Sequence, residues 1–265
     1  MCLILVAWRA HPRFPLVLAA NRDELFARPA APASWWPAPR ILAGRDLLAA
    51  GTWLGVNACG GFAALTNYRD PTRQRQNAPS RGALVPWSLA ESLPVHERLE
   101  QLSRLSQDYN GFNLLFSDGR ELAVYESVPA QGRVLGPGVY GLSNHLLDTP
   151  WPKVLAAKTA LSAALVHLPE DDSLLCLLRD ESLANEADLP RTGLSLEWER
   201  LLSSAFIRAP GYGTRCSTIV LVDVEGGAHF REWTWDERGA LAGREEYEFR
   251  VERPPISVAS GSNTA

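Results

Sequence analysis

The chain has 265 residues and a net charge of −4, and its composition is 46% hydrophobic and 21% charged. That suits one large globular domain, and with no basic run it lacks a phosphate-backbone footprint, which excludes nucleic acid as a partner. No stretch reaches the roughly 18 apolar residues of a membrane span, and four scattered cysteines without a Cys-x-x-Cys pair point to free thiols in a reduced, cytoplasmic compartment.

The first 24 residues predict a hairpin. Leu3 to Trp8 and Leu16 to Ala20 are apolar runs joined by a Pro-containing turn, and the second ends in Asn21-Arg22-Asp23-Glu24. The apolar start has no basic flank and is cut by Arg9, so no secretory signal is expected. Residues 27–40, rich in Pro, Ala and Trp, read as a surface loop. A second hairpin turns at Cys59-Gly60-Gly61 and ends at Asn67, and residues 70–81 are polar and irregular. From Gly82 to about Gln107 apolar residues recur at helical spacing, divided into two helices by Pro94. A third hairpin turns at Asp118-Gly119, and one Gly-rich strand over 132–141 leads to Ser143-Asn144-His145.

Trp151 to Leu168 is a helix pattern with Pro152 near its start. Asp171-Asp172-Ser173 caps another, and Glu197 to Phe206 is a third. Strands over 214–223, 228–235 and 245–251 close a single domain of residues 1–253, followed by a small, polar tail at 254–265 expected to be disordered. Hairpins segregated from helices predict an α+β fold of antiparallel sheets with helices outside.

In the first hairpin Cys2 lies beside the Asn21–Glu24 cluster. Trimming of Met1 leaves Cys2 with a free α-amine, whose pKa of roughly 7.7–8.0 lets it take a proton from its own thiol. A nucleophile and its base then come from one residue. Asp23 would hold that amine, and Asn67 and Asn144, at other strand ends, could donate to an oxyanion. Each Asn is equally a common turn residue, and Cys2 alone reads as a small buried hydrophobe. Arg215 opens an apolar strand and calls for an acidic partner, with Asp23 and Glu24 the candidates.

These motifs resemble the NRDE family, also called the transport and Golgi organisation 2 family. The resemblance is carried by Met1-Cys2, Asn21-Arg22-Asp23-Glu24, Gly51-Thr52-Trp53-Leu54-Gly55, Thr66-Asn67-Tyr68-Arg69-Asp70 and Ser80-Arg81-Gly82. It continues through Asn110-Gly111-Phe112-Asn113, Gly141-Leu142-Ser143-Asn144, Trp151-Pro152-Lys153 and Tyr212-Gly213-Thr214-Arg215. Ala50 and Cys216 depart from the family, which often has Gly and Ser there. More distantly the family resembles N-terminal nucleophile hydrolases of the bile-salt hydrolase and penicillin acylase type, which implies a four-layer αββα sandwich. By that resemblance Cys2 is the nucleophile, Asp23 holds its amine, Asn67 and Asn144 are the oxyanion and amine-positioning asparagines, and Arg215 is the late site arginine. Asn21, Arg22 and Glu24 belong to the NRDE motif alone.

The family implies intracellular haem mobilisation and acyl-metabolite or lipid homeostasis, with a small-molecule ligand and no required cofactor. Haem would be cargo, yet the five histidines form no haem-ligand motif, and His145 alone is expected near the site. The alternative is a Cys2-dependent hydrolase of a linear amide or thioester. No metal site is expected.

Overall fold

The structure, a computed structural model, describes residues 2–90 and 93–252; the tail expected at 254–265 lies outside the described residues. Among the described residues, fourteen strands and five α-helices follow in chain order. The first strands are β1 (Cys2–Trp8), β2 (Leu16–Leu25), β3 (Ala30–Trp35), β4 (Ile41–Asp46), β5 (Leu54–Asn57) and β6 (Phe62–Asn67). Helices α1 (Leu84–Ala90) and α2 (Val95–Leu105) precede β7 (Phe112–Ser117), β8 (Leu122–Glu126), β9 (Gln131–Leu135) and β10 (Gly138–Leu142). Then come α3 (Pro152–Ala164), α4 (Asp172–Leu178) and α5 (Leu196–Leu201), and finally β11 (Arg208–Ala209), β12 (Tyr212–Val222), β13 (Gly227–Trp235) and β14 (Leu241–Arg250).

Two antiparallel sheets result. One runs β10-β1-β2-β12-β13-β14 with β11 beside β12, and the other is the meander β3-β4-β5-β6-β7-β8-β9. Because side chains alternate along a strand, each central strand serves two cores. On β1, Leu3 and Leu5 pack with Val154 and Leu161 of α3 and Leu174 of α4, whereas Ile4 and Val6 pack with Phe62, Leu115 and Val124 of the other sheet. A third core joins the far face of the meander to α1 and α2 through Ala63, Phe116, Val85 and Leu102. The order helices, sheet, sheet, helices is the four-layer αββα sandwich expected above.

Local chemistry sets the elements. The β1–β2 turn is held by the His11 imidazole, whose Nδ1 accepts from the backbone N–H groups of Arg13 and Phe14. Pro152 is the first residue of α3, and Val154, Ala157, Leu161 and Ala164 give that helix its buried stripe.

Three expectations are corrected. Residues 27–40 contain β3, an edge strand of the meander rather than a surface loop; its alternation is masked by a bulge between Ala31 and Ser34. The strand expected over 132–141 is two strands in different sheets: β9 pairs with β8, and after Gly136-Pro137 the chain crosses to pair β10 with β1. The helix expected from Glu197 to Phe206 ends at Leu201, and the residues after it fold under α4, where the Phe206 N–H donates to the Asp180 carbonyl.

Candidate active site

Five strand ends, of β1, β2, β6, β10 and β12, converge at one end of the sandwich. Cys2 pairs with Arg22 at the β1–β2 register, and Asp23 pairs with Thr214. Beyond β10 the Ser143 hydroxyl donates to the Cys2 carbonyl (3.2 Å), and Asn144 Nδ2 donates to the Asn67 carbonyl at the end of β6 (2.8 Å). The Arg69 N–H returns to the Asn144 carbonyl (2.7 Å). These bonds tie the two sheets together and leave a cavity of about 300 Å³ between them, lined by Cys2, Arg22, Asp23, Glu24, Asn67 and Arg81 among others.

A close backbone approach shapes its wall. A Cβ on Gly51 would lie 2.4 Å from the Gly82 carbonyl carbon, and the Thr52 N–H donates to the Gly82 carbonyl (3.0 Å). Only glycine at 51 lets the Ser80-Arg81-Gly82 segment reach the cavity.

Alternation along β2 splits the Asn-Arg-Asp-Glu motif. Asn21 points away from the cavity: its Nδ2 donates to the carbonyls of Leu178 and Ala205, and its Oδ1 accepts from Ser217. It anchors α4 rather than touching a ligand. Arg22 is buried with its guanidinium 4.2 Å from the Trp53 ring and 3.5 Å from Asp46. Glu24 lines the cavity and lies 3.8 Å from Arg28, which also pairs with Asp46 at 2.6 Å.

Asp23 is buried, and its Oδ1 accepts from the Thr214 hydroxyl (2.7 Å). Burial pushes its carboxyl up, while Lys153 and the Thr214 bond pull it down. Burial also raises the Cys2 thiol, with Asp23 adding to the rise; the Asp23 N–H and Arg22 oppose it. The site therefore favours a neutral thiol until a base takes its proton.

Among the sequence-predicted residues, the structure brings Cys2, Asp23 and Asn67 together with Arg22 and Glu24. The Asn67 side chain makes no hydrogen bond among the described residues, so its amide can serve a ligand. Asn144 is fully buried, and one N–H of its amide donates to the Asn67 carbonyl. His145 is also off the cavity: its ring nitrogens meet Tyr68 Oη (2.8 Å) and Thr149 Oγ1 (2.9 Å), and burial lowers its basicity.

Arg215 does not meet Asp23. It is the bulged residue between Thr214 and Cys216, and its guanidinium donates to the carbonyls of Leu25 and Arg28 (2.8 and 2.9 Å). The Tyr212-Gly213-Thr214-Arg215 motif reaches the site through Thr214 and through Tyr212, whose hydroxyl donates to the Asp23 carbonyl (3.1 Å). Sequence reasoning also missed Lys153. A cation in the first turn of a helix opposes the helix dipole, and that was the available signal. Among the described residues no group of three His, Cys, Asp or Glu side chains gathers to hold a metal ion.

A sequence profile of the family described as Transport and Golgi organisation 2 matches residues 1–237. The chain is 38% identical over 259 residues to the Transport and Golgi organization protein 2 homolog of Bos taurus, covering 88% of this chain and 92% of that protein. Its Homo sapiens counterpart is 38% identical over 262 residues, and the Transport and Golgi organization protein 2 of Drosophila melanogaster 30%, both with the same coverage. Among solved structures, the Caenorhabditis elegans N-acylethanolamine-hydrolyzing acid amidase ortholog aligns over 83% of this chain and 92% of its own, at 10% identity and a TM-score of 0.49.

Proposed function

The chain belongs to the Transport and Golgi organisation 2 family, and from that premise we propose that its cavity transfers the acyl group of an anionic amide or thioester to water through Cys2. The observation that carries this reading is the meeting of Cys2, Asp23 and Asn67, from three different strands, at one cavity.

With Met1 removed, the α-amine of Cys2 takes the thiol proton. The sulfur attacks the substrate carbonyl, a C–S bond forms, and the carbonyl electrons move to oxygen. Asn67 Nδ2 donates to that oxyanion; one such donor is worth about 2.7–4 kcal/mol. The tetrahedral centre collapses, the C–N or C–S bond to the leaving group breaks, and the ammonium returns its proton to that group. Water then attacks the acyl-Cys2 thioester, losing its proton to the same amine, and the acid and free thiol are released. The preference for an anion follows from Arg75 and Arg81. Both line the cavity, and they bond main-chain carbonyls of Gln107, Tyr109 and Gly111 rather than any carboxylate.

Cys2→Ala keeps the amine and removes the sulfur. It is expected to lower turnover of an amide and thioester panel by at least about a thousandfold and to abolish the acyl adduct seen by intact mass. Normal turnover in this variant would sink the mechanism. Haem as cargo is the second reading. The same arginines suit its carboxylates and the Cys2 thiol is a ligand at hand; an unchanged absorbance spectrum on haem titration at micromolar protein counts against it.

A further inference from the structure

Lys153 has no part in the chemistry above, and its position is costly. It is the second residue of α3, 6% exposed, and its Nζ makes no hydrogen bond among the described residues. Burying an ammonium without a hydrogen-bond partner is unfavourable, and an apolar side chain of similar length would avoid that cost.

What Lys153 faces is the site. Among the charges that act on it Asp23 weighs most, followed by Arg69 and Cys2. Arg69 comes from the segment after β6 and is itself paired with Glu199 of α5 (2.7 Å). Asp180 shares with Lys153 a smaller cavity beside α3, and Tyr212 stands at Asp23. Desolvation lowers Lys153 to about 8, with Asp23 opposing that fall. Lys153 in turn is among the charges that pull the Asp23 carboxylate down against its burial.

A carboxylate alone is a poor partner for a base, because a buried anion beside an amine holds that amine protonated. A second cation at the same carboxylate divides its field. We propose that Lys153 is a positioning residue of the Cys2 site: its ammonium shares the Asp23 carboxylate with the amine of Cys2, keeping Asp23 ionised to hold that amine while leaving the amine free to accept the thiol proton. The inference rests on the reading of Cys2 as an N-terminal nucleophile. It adds that the base is tuned from the opposite side of the sheet, by a residue no substrate touches.

The test is the pH profile of Cys2 alkylation by iodoacetamide, followed by intact mass and peptide mapping on the untagged protein. The exposed Cys59 and Cys176 serve as internal references. In Lys153→Met the loss of positive charge destabilises both the thiolate and the neutral amine. The midpoint is expected to move up by about one pH unit, slowing labelling near pH 7 roughly tenfold, while Cys59 and Cys176 label as before. Lys153→Arg keeps the charge and should restore most of the profile. A Lys153→Met profile that superimposes on that of the unmutated chain overturns the inference, as does an equal shift in both variants. Met1 retained, or Cys2 inert in the unmutated chain, overturns the parent reading and this inference with it; that outcome is visible before any variant is compared.

Discussion

Ala50 has φ +58°, in the left-handed region that only glycine enters without cost. The family often has Gly there, and the backbone explains why. Ala50→Gly relieves strain of about 1–2 kcal/mol against an unfolded-chain entropy cost of about 0.4–1 kcal/mol. A modest rise in the urea midpoint is the expected outcome, and a fall would refute the strain. The site was legible at the residue scale where side-chain chemistry alone was enough, as at Cys2, Asp23 and Asn67. It misled where parity broke. Arg215 drew attention as an arginine in an apolar strand, but the bulge turns it outward and sends its quieter neighbour Thr214 to Asp23. Asn144 was selected by type, and its bond to the Asn67 carbonyl, which ties the two strand ends together, is visible only in the fold.

At the scale of elements, β3 is the instructive case. Its Ala33 is skipped by the ladder with β4, yet its N–H donates to Glu232 Oε1 (2.8 Å) and its carbonyl accepts from Tyr247 Oη (2.9 Å), both from the other sheet. A strand held by side chains 199 and 214 residues away leaves no local pattern to read, so its Pro- and Trp-rich sequence looked like a loop. Glu232 also gives this tie a pH dependence. Burial raises its carboxyl to about 7 from an ordinary 4.5. Between those values the folded chain keeps a proton that the unfolded chain has lost, so stability falls as pH rises through that window. The sum is on the order of 3 kcal/mol. Glu232→Gln removes that slope, and the stability gap between variant and unmutated chain should widen by that amount from pH 4.5 to 7. A constant gap in urea melts would show that Glu232 does not titrate there.

For the whole molecule, the four layers were implied by family resemblance and hairpin order, but not the crossing at Gly136-Pro137, because a Gly-rich run reads the same within a sheet or between sheets. Nor did the sequence show how the long segment between α4 and β11 is fastened. Glu199 does this, accepting from buried Arg69 with one oxygen and from the Thr192 N–H (2.8 Å) with the other. Glu199→Gln removes the carboxylate charge paired with the buried Arg69 guanidinium and is expected to cost about 3–5 kcal/mol; a thermal melt within a degree of the unmutated chain would refute this. The sheet order has a further consequence, in time. The inner edge of β2 waits for β12, and paired Leu25 and Tyr212 are 187 residues apart. At roughly 5–20 residues per second on the ribosome, that interval is on the order of ten to forty seconds. The hairpin bearing Cys2 is thus made long before the strand that encloses it, so that edge of the site stays open while most of the sandwich is still being synthesised.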